Sequence, residues 1–263
     1  MIVGFIGAGN MATGIARGWA SAAGEPGAPD SMLFTDAAPD KARALADEVS
    51  SATVTGEAIE GARELAGASD LVVLAVKPNV LDEVATDLKD AGVPVVSILA
   101  GTTLERLQAA LPGTELVRVM PNLGAQLRQA VLCIAFGDGT SDELRERATE
   151  LLGLLGDVME LDEGLIDAAS AIMGCTPGYL ALMAEVLVEE GAKLGLTEEQ
   201  SLRMVALSMA ATGALLDHHE PAALKKAVAS PGGMTEAGLD ALEERGLRDT
   251  LRAAVDSSLE RVR

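Results

Sequence analysis

Apolar residues along the first 160 positions fall into short runs separated by stretches of helical spacing. Ile2–Ile6, Met32–Thr35, Leu71–Val76, Val93–Leu99, Glu115–Met120 and Val131–Phe136 each read as a strand. The unbroken runs at 71–76 and 93–99 have the composition of strands covered on both faces. Between the strands, Asn10–Ala22, Pro39–Val49, Val80–Leu88 and Thr103–Leu111 place apolar side chains on one helix face. This alternation predicts an α/β domain over residues 1–160, built on a parallel, doubly wound sheet. Past residue 160 the strand signals stop. Ile166–Met173, Tyr179–Leu194, Glu198–Leu216, Ala222–Val228, Glu236–Glu244 and Leu247–Arg261 all have helical spacing, so residues 161–263 read as an all-α domain.

Local signals support that second domain. Thr197 followed by Gln200 has the form of a capping box. Gly195 suits a helix stop, and Gly191 reads as an interruption of the preceding helix. Tyr179–Val188 carries one charge, Glu185. Helices of that composition are buried all round, and a domain this small cannot cover two of them alone, so an obligate homodimer is expected.

Composition narrows the function classes. The chain has 263 residues with 40 Asp and Glu against 20 Lys and Arg, a formal charge of −20. Such a surface disfavours nucleic acid and anionic membrane as partners, since both call for clustered Lys and Arg. A hydrophobic share of 49% excludes a disordered acidic chain. The apolar runs read as shorter than the ~20 residues that span a bilayer. Cys133 and Cys175 have no zinc or disulfide spacing, which suggests a reduced, cytoplasmic protein. His218 and His219 are adjacent and do not share a helix face, so no metal site is expected there.

The sharpest local chemistry is at the start. Ile2–Ile6 leads into Gly7-Ala-Gly9-Asn10-Met11-Ala12, a strand, a G-x-G-x-x-A turn and a helix. Glycines permit the tight turn and the close approach of a pyrophosphate, and the helix N-terminus supplies unpaired N–H groups. A dinucleotide site is expected, with a purely structural glycine turn in an α/β protein as the plainer alternative. Asp36 ends the next strand, where a carboxylate either bonds the adenosine ribose 2′-OH or caps the following helix. With Ala37 and Ala38 after it in place of Arg, it leans toward NAD, while Lys41 and Arg43 leave NADP open. Val76-Lys77-Pro78, the Ser97–Thr103 turn with Ala100 and Gly101, and Met120-Pro121-Asn122 occupy the carboxyl ends of later strands. Ligands of open α/β sheets bind at those ends, though the same residues also suit ordinary loops and caps.

At this point the chain resembles the pyrroline-5-carboxylate reductases over its full length. The resemblance rests on Phe5–Ala12, Val76–Pro78, Ser97–Gly101, Met120–Asn122 and, above all, Ser230-Pro-Gly232-Gly233-Met-Thr235 with the helical pattern after it. It implies a dinucleotide domain followed by an all-α dimerisation domain, with dimers that often assemble into rings. It also implies hydride transfer from NADPH or NADH to the C=N carbon of 1-pyrroline-5-carboxylate, giving proline. Through its matching motifs the resemblance puts cofactor contacts on Gly7, Gly9, Asn10, Met11, Val76, Lys77, Pro78, Ala100 and Gly101, beside Asp36 from the strand reading. The family's substrate contacts fall on Asn122, Cys175, Thr176, Ser230, Gly232, Gly233 and Thr235, with the Thr235 hydroxyl against the ring nitrogen as the catalytic contact. The residues agree chemically. Two glycines free backbone N–H groups to converge on a carboxylate, and a hydroxyl can accept from an iminium N–H. A helix turn with a Thr cap is the plainer alternative for the same six residues.

The chain departs from the family pattern in two places. Gly174-Cys175-Thr176-Pro-Gly-Tyr179 stands where Gly-Ser-Gly-Pro-Ala-Tyr is usual, and Asn122-Leu123-Gly124 where Asn-Thr-Pro is usual. A related cyclic imine or carbonyl substrate, or a relative that binds dinucleotide without turnover, therefore remains open. Cys175 is either a pocket thiol or a small core residue. Residues 1–24, 71–81, 116–137, 168–184 and 221–235 hold Arg17, Lys77, Arg118, Arg128, Lys225 and Lys226 but no acid. Since most of the motifs lie in these stretches, a neutral to basic cleft inside an acidic exterior is expected.

Overall fold

A computed structural model describes residues 1–261. Val262 and Arg263, the last two residues of the expected helical domain, lie outside the described residues. By contact the chain forms two compact units, Met1–Gly174 and Cys175–Arg261. The segment 163–174 packs with the sheet, so this division falls after it.

In the first unit the elements run β1 (Ile2–Ile6), α1 (Asn10–Ser21), β2 (Ser31–Thr35), α2 (Pro39–Val49), β3 (Thr55–Ala58), α3 (Ala62–Gly67), β4 (Leu71–Leu74), α4 (Leu81–Leu88), β5 (Val95–Ser97), α5 (Leu104–Ala110), β6 (Leu116–Pro121), β7 (Ala130–Phe136), α6 (Asp142–Gly153), β8 (Gly156–Glu160) and α7 (Ile166–Ala169). One eight-stranded sheet results, in the order β3-β2-β1-β4-β5-β6-β7-β8. Its pairs are parallel except β6–β7, which is antiparallel. The all-parallel expectation is therefore corrected at one junction. Only eight residues, 122–129, link β6 to β7, too few for a parallel crossover.

Strand alternation splits the core into two faces. Val3, Phe5, Met32, Phe34, Val117 and Val119 pack with Ile15, Trp19, Leu45 and Leu151 from α1, α2 and α6. Ile6, Leu33, Val72, Leu74 and Leu116 pack with Leu65, Leu81, Leu88 and Leu107 from α3, α4 and α5 on the other side. Phe5 stacks on Phe34 at 5.1 Å between ring centroids and meets Trp19 at 5.6 Å. The Trp19 indole N–H donates to Leu151 O at 2.9 Å, so this large residue is fully satisfied inside the core.

The second unit contains α8 (Thr176–Lys193), α9 (Glu198–Leu216), α10 (Pro221–Val228), α11 (Met234–Glu244) and α12 (Leu247–Glu260). The capping box at Thr197 forms, with Gln200 N–H on Thr197 Oγ1 and Thr197 N–H on Gln200 Oε1. Gly195 terminates α8 at φ +94°. The Tyr179 hydroxyl ties α8 to α12 through Ser258 Oγ at 2.8 Å and Ala254 O at 3.2 Å.

Two expectations change here. Gly191 does not interrupt α8; it lies inside the helix where α9 passes closest. A Cβ there would sit 2.3 Å from Ser201 Oγ and 2.9 Å from Ser201 Cβ. As expected of a domain too small to cover both helices alone, α8 and α9 keep apolar side chains uncovered within one chain: Leu182, Leu187, Leu202 and Leu207 are each at least half exposed. The length argument also shifts. Glu163–Lys193 forms one 31-residue helical stretch with mean hydropathy 1.6 in its most apolar window, long and apolar enough to cross a membrane by those criteria. Helical continuity through the π-turn Ser170–Gly174 joins runs that look separate in the sequence.

Alanine is the better helix former by about 1 kcal/mol, yet we predict that Gly191→Ala destabilises the protein by about 1–3 kcal/mol through overpacking. Denaturant unfolding of Gly191→Ala, alone and with Ser201→Gly, checks this. The second change should recover part of the loss, and a stabilised single variant would contradict the close packing.

Candidate functional site

The turn after β1 is set by space. Gly7 adopts φ +102°, and a Cβ on it would lie 2.6 Å from Ala75 O on the segment after β4. Its own N–H donates to Thr35 O at 2.8 Å, and Ala75 N–H donates to Ile6 O at 2.8 Å. The backbone thus knits β1, β2 and β4 together where strand order reverses direction. Gly9 differs from Gly7, because no atom beyond its own chain neighbours comes within 4 Å of the place its Cβ would occupy. It caps α1 without a side-chain hydrogen bond, and no acid stands in the first turn of that helix. The first amides of α1, at Asn10 and Met11, therefore face an open approach with the partial positive charge of the helix end behind them.

Asp36 is neither free nor a cap of α2. Ala8 N–H donates to its Oδ2 at 2.8 Å and Ala38 N–H to its Oδ1 at 2.8 Å. The N-cap of α2 is Ala38, which has no side-chain cap. Asp36 instead brackets the glycine turn to the end of β2. It also lines a cavity of about 260 Å³ with Thr35, Arg43, Ala58, Ile59 and Glu60. Arg43 donates to Asp40 at 2.8 Å. Glu60 was not foreseen from the sequence, because β3 is the half-exposed segment Thr-Gly-Glu-Ala, without the apolar run that marks a strand.

The other expected cofactor residues sit at the carboxyl ends of neighbouring strands. Val76 is half-buried; Lys77 and Pro78 are exposed and open a 3₁₀ turn after β4. Ala100 and Gly101 are exposed in the turn after β5, where Gly101 has φ +66°. Together with Asp36 and the glycine turn, they follow the strand order β2-β1-β4-β5 along one edge of the sheet. The arrangement accommodates a dinucleotide: an open glycine approach, helix amides for the pyrophosphate, and a carboxylate-bearing cavity beside them.

Asn122 stands apart from this group. Its Oδ1 accepts from Gly124 N–H at 3.1 Å and Val131 N–H at 3.4 Å, and its Nδ2 donates to Met173 O at 3.4 Å. Its polar atoms hold the β6–β7 connection. Leu123 beside it is 50% exposed.

In the second unit, Ser230, Gly232, Gly233 and Thr235 lie in and after the turn between α10 and α11. Gly232 takes φ +72°. The two glycine amides are already used. Gly232 N–H donates to Glu236 Oε2 at 2.7 Å and Gly233 N–H to Ser230 O at 2.9 Å. This corrects the expectation of freely converging N–H groups, since a bound carboxylate has to displace Glu236 to reach Gly232. Gly233, not Thr235, caps α11, and it does so without a side-chain hydrogen bond. Thr235 is the exposed second residue of α11, and its hydroxyl has no partner among the described residues. Cys175 is half-buried rather than a core residue, and Thr176 is exposed at the start of α8. Cys133 is the buried thiol, and desolvation pushes its pKa up.

The basic cleft is also corrected. Arg17 pairs with Glu48, Arg118 with Glu163 and Asp167, Arg128 with Glu25, and Lys225 with Glu243. Of the cations in the acid-free stretches, Lys77 and Lys226 alone make no ion pair among the described residues.

Fold and site together define a dinucleotide-binding α/β unit followed by a helical unit. Residues 163–263 match the family described as pyrroline-5-carboxylate reductase dimerisation, and residues 2–101 the family described as NADP oxidoreductase, coenzyme F420-dependent. The chain is 33% identical to pyrroline-5-carboxylate reductase of Thermus thermophilus over 99% of this chain and 97% of that protein. It is likewise 33% identical to the enzyme of Pisum sativum, over 99% and 94%. Among solved structures it is similar to 1-pyrroline-5-carboxylate reductase from Streptococcus pyogenes, with TM-score 0.89 and 28% identity over 100% and 98% of the two chains. It is also similar to the Plasmodium falciparum pyrroline carboxylate reductase with NADP bound, with TM-score 0.86 and 25% identity over 100% and 97%. The chain belongs to the pyrroline-5-carboxylate reductase family.

Proposed function

We propose that this protein reduces 1-pyrroline-5-carboxylate to proline with a reduced nicotinamide dinucleotide. The observation that carries the reading is full-length similarity to enzymes of that name, together with a glycine turn whose second glycine opens onto empty space. When bound, the reduced nicotinamide supplies a hydride to the imine carbon. Protonation of the ring nitrogen already makes that carbon electrophilic, so the protein's own contribution is mostly positioning. Gly7, Gly9, Asn10 and Met11 hold the pyrophosphate, and Val76, Lys77, Pro78, Ala100 and Gly101 border the rest of the dinucleotide. Ser230, Gly232 and Gly233 receive the substrate carboxylate once Glu236 is displaced, with Cys175 and Thr176 assigned to the same substrate region. Asn122 supports the site through the β6–β7 connection. Thr235 meets the ring nitrogen, accepting its N–H in the imine and keeping it oriented in the product amine.

The cofactor is NADH by preference. Asp36, pinned by two backbone N–H groups, and Glu60 place two carboxylates at the cavity where a 2′-phosphate would sit, while Arg43 is engaged by Asp40. The working unit is a homodimer formed through the exposed apolar faces of α8 and α9, which also accounts for the apolar stretch 163–193 without a membrane. Dimers assembling further into rings, and a cytoplasmic location, complete the reading.

Turnover of 1-pyrroline-5-carboxylate, with piperideine carboxylates as controls, tests the reaction. The five-membered imine should be the better substrate, and Thr235→Ala should lower kcat/KM by about 10–100-fold, the worth of a hydrogen bond to a charged group, with dinucleotide affinity nearly unchanged. No turnover of that imine would defeat the proposal. Asp36→Ser should shift the kcat/KM ratio toward NADPH; an unmoved ratio would leave Asp36 as a bracket for the turn alone. Sedimentation equilibrium should give a dimer or a whole-number multiple of it, and a stable active monomer would remove α8 and α9 from the subunit contact.

A further inference from the structure

Arg118 lies in the middle of β6, on the face opposite Val117 and Val119, and its side chain is 2% exposed. Its Nη1 donates to Glu163 Oε1 at 3.1 Å and its Nη2 to Asp167 Oδ1 at 2.6 Å, while Nε has no partner. Taking a guanidinium out of water is costly even when it is paired, and an apolar residue of similar volume commonly serves a core as well. Stability alone is therefore a poor account of an arginine at this position.

The same Glu163 oxygen accepts a second bond, from Leu104 N–H at 2.5 Å, across 59 residues of chain. Leu104 is the first residue of α5, and Thr103 Oγ1 accepts from Arg106 N–H at 3.2 Å one turn further on. Two of the amides at the start of α5 are thus satisfied, one locally and one by Glu163. Immediately before them is the turn carrying Ala100 and Gly101. Leu99 and Thr102, on either side of that turn, are buried, but the turn's own hydrogen bonds are long: Leu99 N–H reaches Ser97 Oγ at 3.4 Å and Thr102 N–H reaches Leu99 O at 3.4 Å.

Strand order says which part of a dinucleotide this turn meets. Asp36 ends β2, the glycine turn follows β1, and Ala100–Gly101 follows β5, on the far side of β4. A dinucleotide with its ribose at Asp36 and its pyrophosphate at the glycine turn brings its nicotinamide toward β4 and β5. We propose that Glu163, held in place by the buried Arg118, is a positioning residue that fixes the Ala100–Gly101 turn against the nicotinamide half of the cofactor. Arg118 orients the carboxylate, the carboxylate fixes the first amide of α5, and α5 fixes the turn. The inference rests on the reading of that turn as part of the cofactor site.

Binding of NADH and of ADP-ribose, which lacks the nicotinamide ring, separates the possibilities by calorimetry on the full chain. For Glu163→Leu the Kd of NADH should rise about tenfold or more, the loss expected for a hydrogen bond to a charged group, while ADP-ribose stays within about twofold. Glu163→Gln keeps an acceptor for Leu104 N–H and should bind both ligands nearly as the unaltered protein does. Equal weakening of both ligands in Glu163→Leu, no weakening at all, or a Gln variant as impaired as the Leu variant would overturn the proposal. Should Glu163→Leu fail to fold, Arg118→Met releases the carboxylate while keeping apolar bulk, and the same split between NADH and ADP-ribose is required of it. If the unaltered protein binds neither ligand, the cofactor reading itself falls, an outcome distinct from failure of the Glu163 assignment.

Discussion

The structure depends on one close approach, that of the Gly7 backbone to the carbonyl of Ala75. A methyl group on Gly7 would come within 2.6 Å of that oxygen, at a φ that side chains rarely adopt. With no side chain there, β1 pairs β2 on one side and β4 on the other, in registers that bring Thr35 and Leu74 level with Ile6. The turn can then start α1 directly at the reversal of strand order. Asp36 reinforces the same point from β2 by accepting the N–H of Ala8. The junction aligns the ends of β2 and β4, with Asp36 and Val76–Pro78, beside the glycine turn, and β5 with Ala100 and Gly101 is aligned in turn through its pairing with β4.

Charge has a different role from the one composition suggests. An excess of 20 acids invites the picture of a basic cleft within an acidic shell. Four of the six Lys and Arg side chains in the acid-free stretches, Arg17, Arg118, Arg128 and Lys225, instead find carboxylate partners from elsewhere in the chain. Arg128 meets Glu25 in a two-pronged pair, and its guanidinium holds the Glu25 carboxyl below the usual carboxylate range. Arg118 is neutralised inside the sheet. The attraction left for an anionic cofactor comes from backbone amides at the start of α1, with Lys77 nearby in the chain of site residues. Amides of this kind carry partial charge without a counter-ion to displace, and they are compatible with an acidic exterior.

What was legible in the sequence is what local pattern encodes. The strands β1, β4, β6 and β7 are apolar runs, the glycine turn is a contiguous motif, and the Thr197 capping box is four residues long. The strands β3 and β8 were missed because Thr-Gly-Glu-Ala and Gly-Asp-Val-Met-Glu are part-exposed segments with no apolar run to mark them. The reversal at β7 was missed because an apolar strand reads the same in either direction. In the candidate site, Gly7, Gly9 and Asp36 could be placed by spacing. The second bond of Asp36, the capture of Gly232 N–H by Glu236, and the Arg118–Glu163–Leu104 chain could not. The first two depend on backbone conformation, and the third joins residues far apart in sequence. Family resemblance supplied the substrate and the role of Thr235, which no periodicity contains.

In the proposed reaction a nicotinamide hydride reaches the imine carbon of a five-membered ring. The most direct measurement follows that hydrogen. With NADH deuterated at the transferred position of the nicotinamide and 1-pyrroline-5-carboxylate in ordinary water, the account predicts proline carrying one deuterium at C5, read by mass spectrometry and NMR. Proline without deuterium at C5, or with hydrogen from solvent in its place, would contradict it.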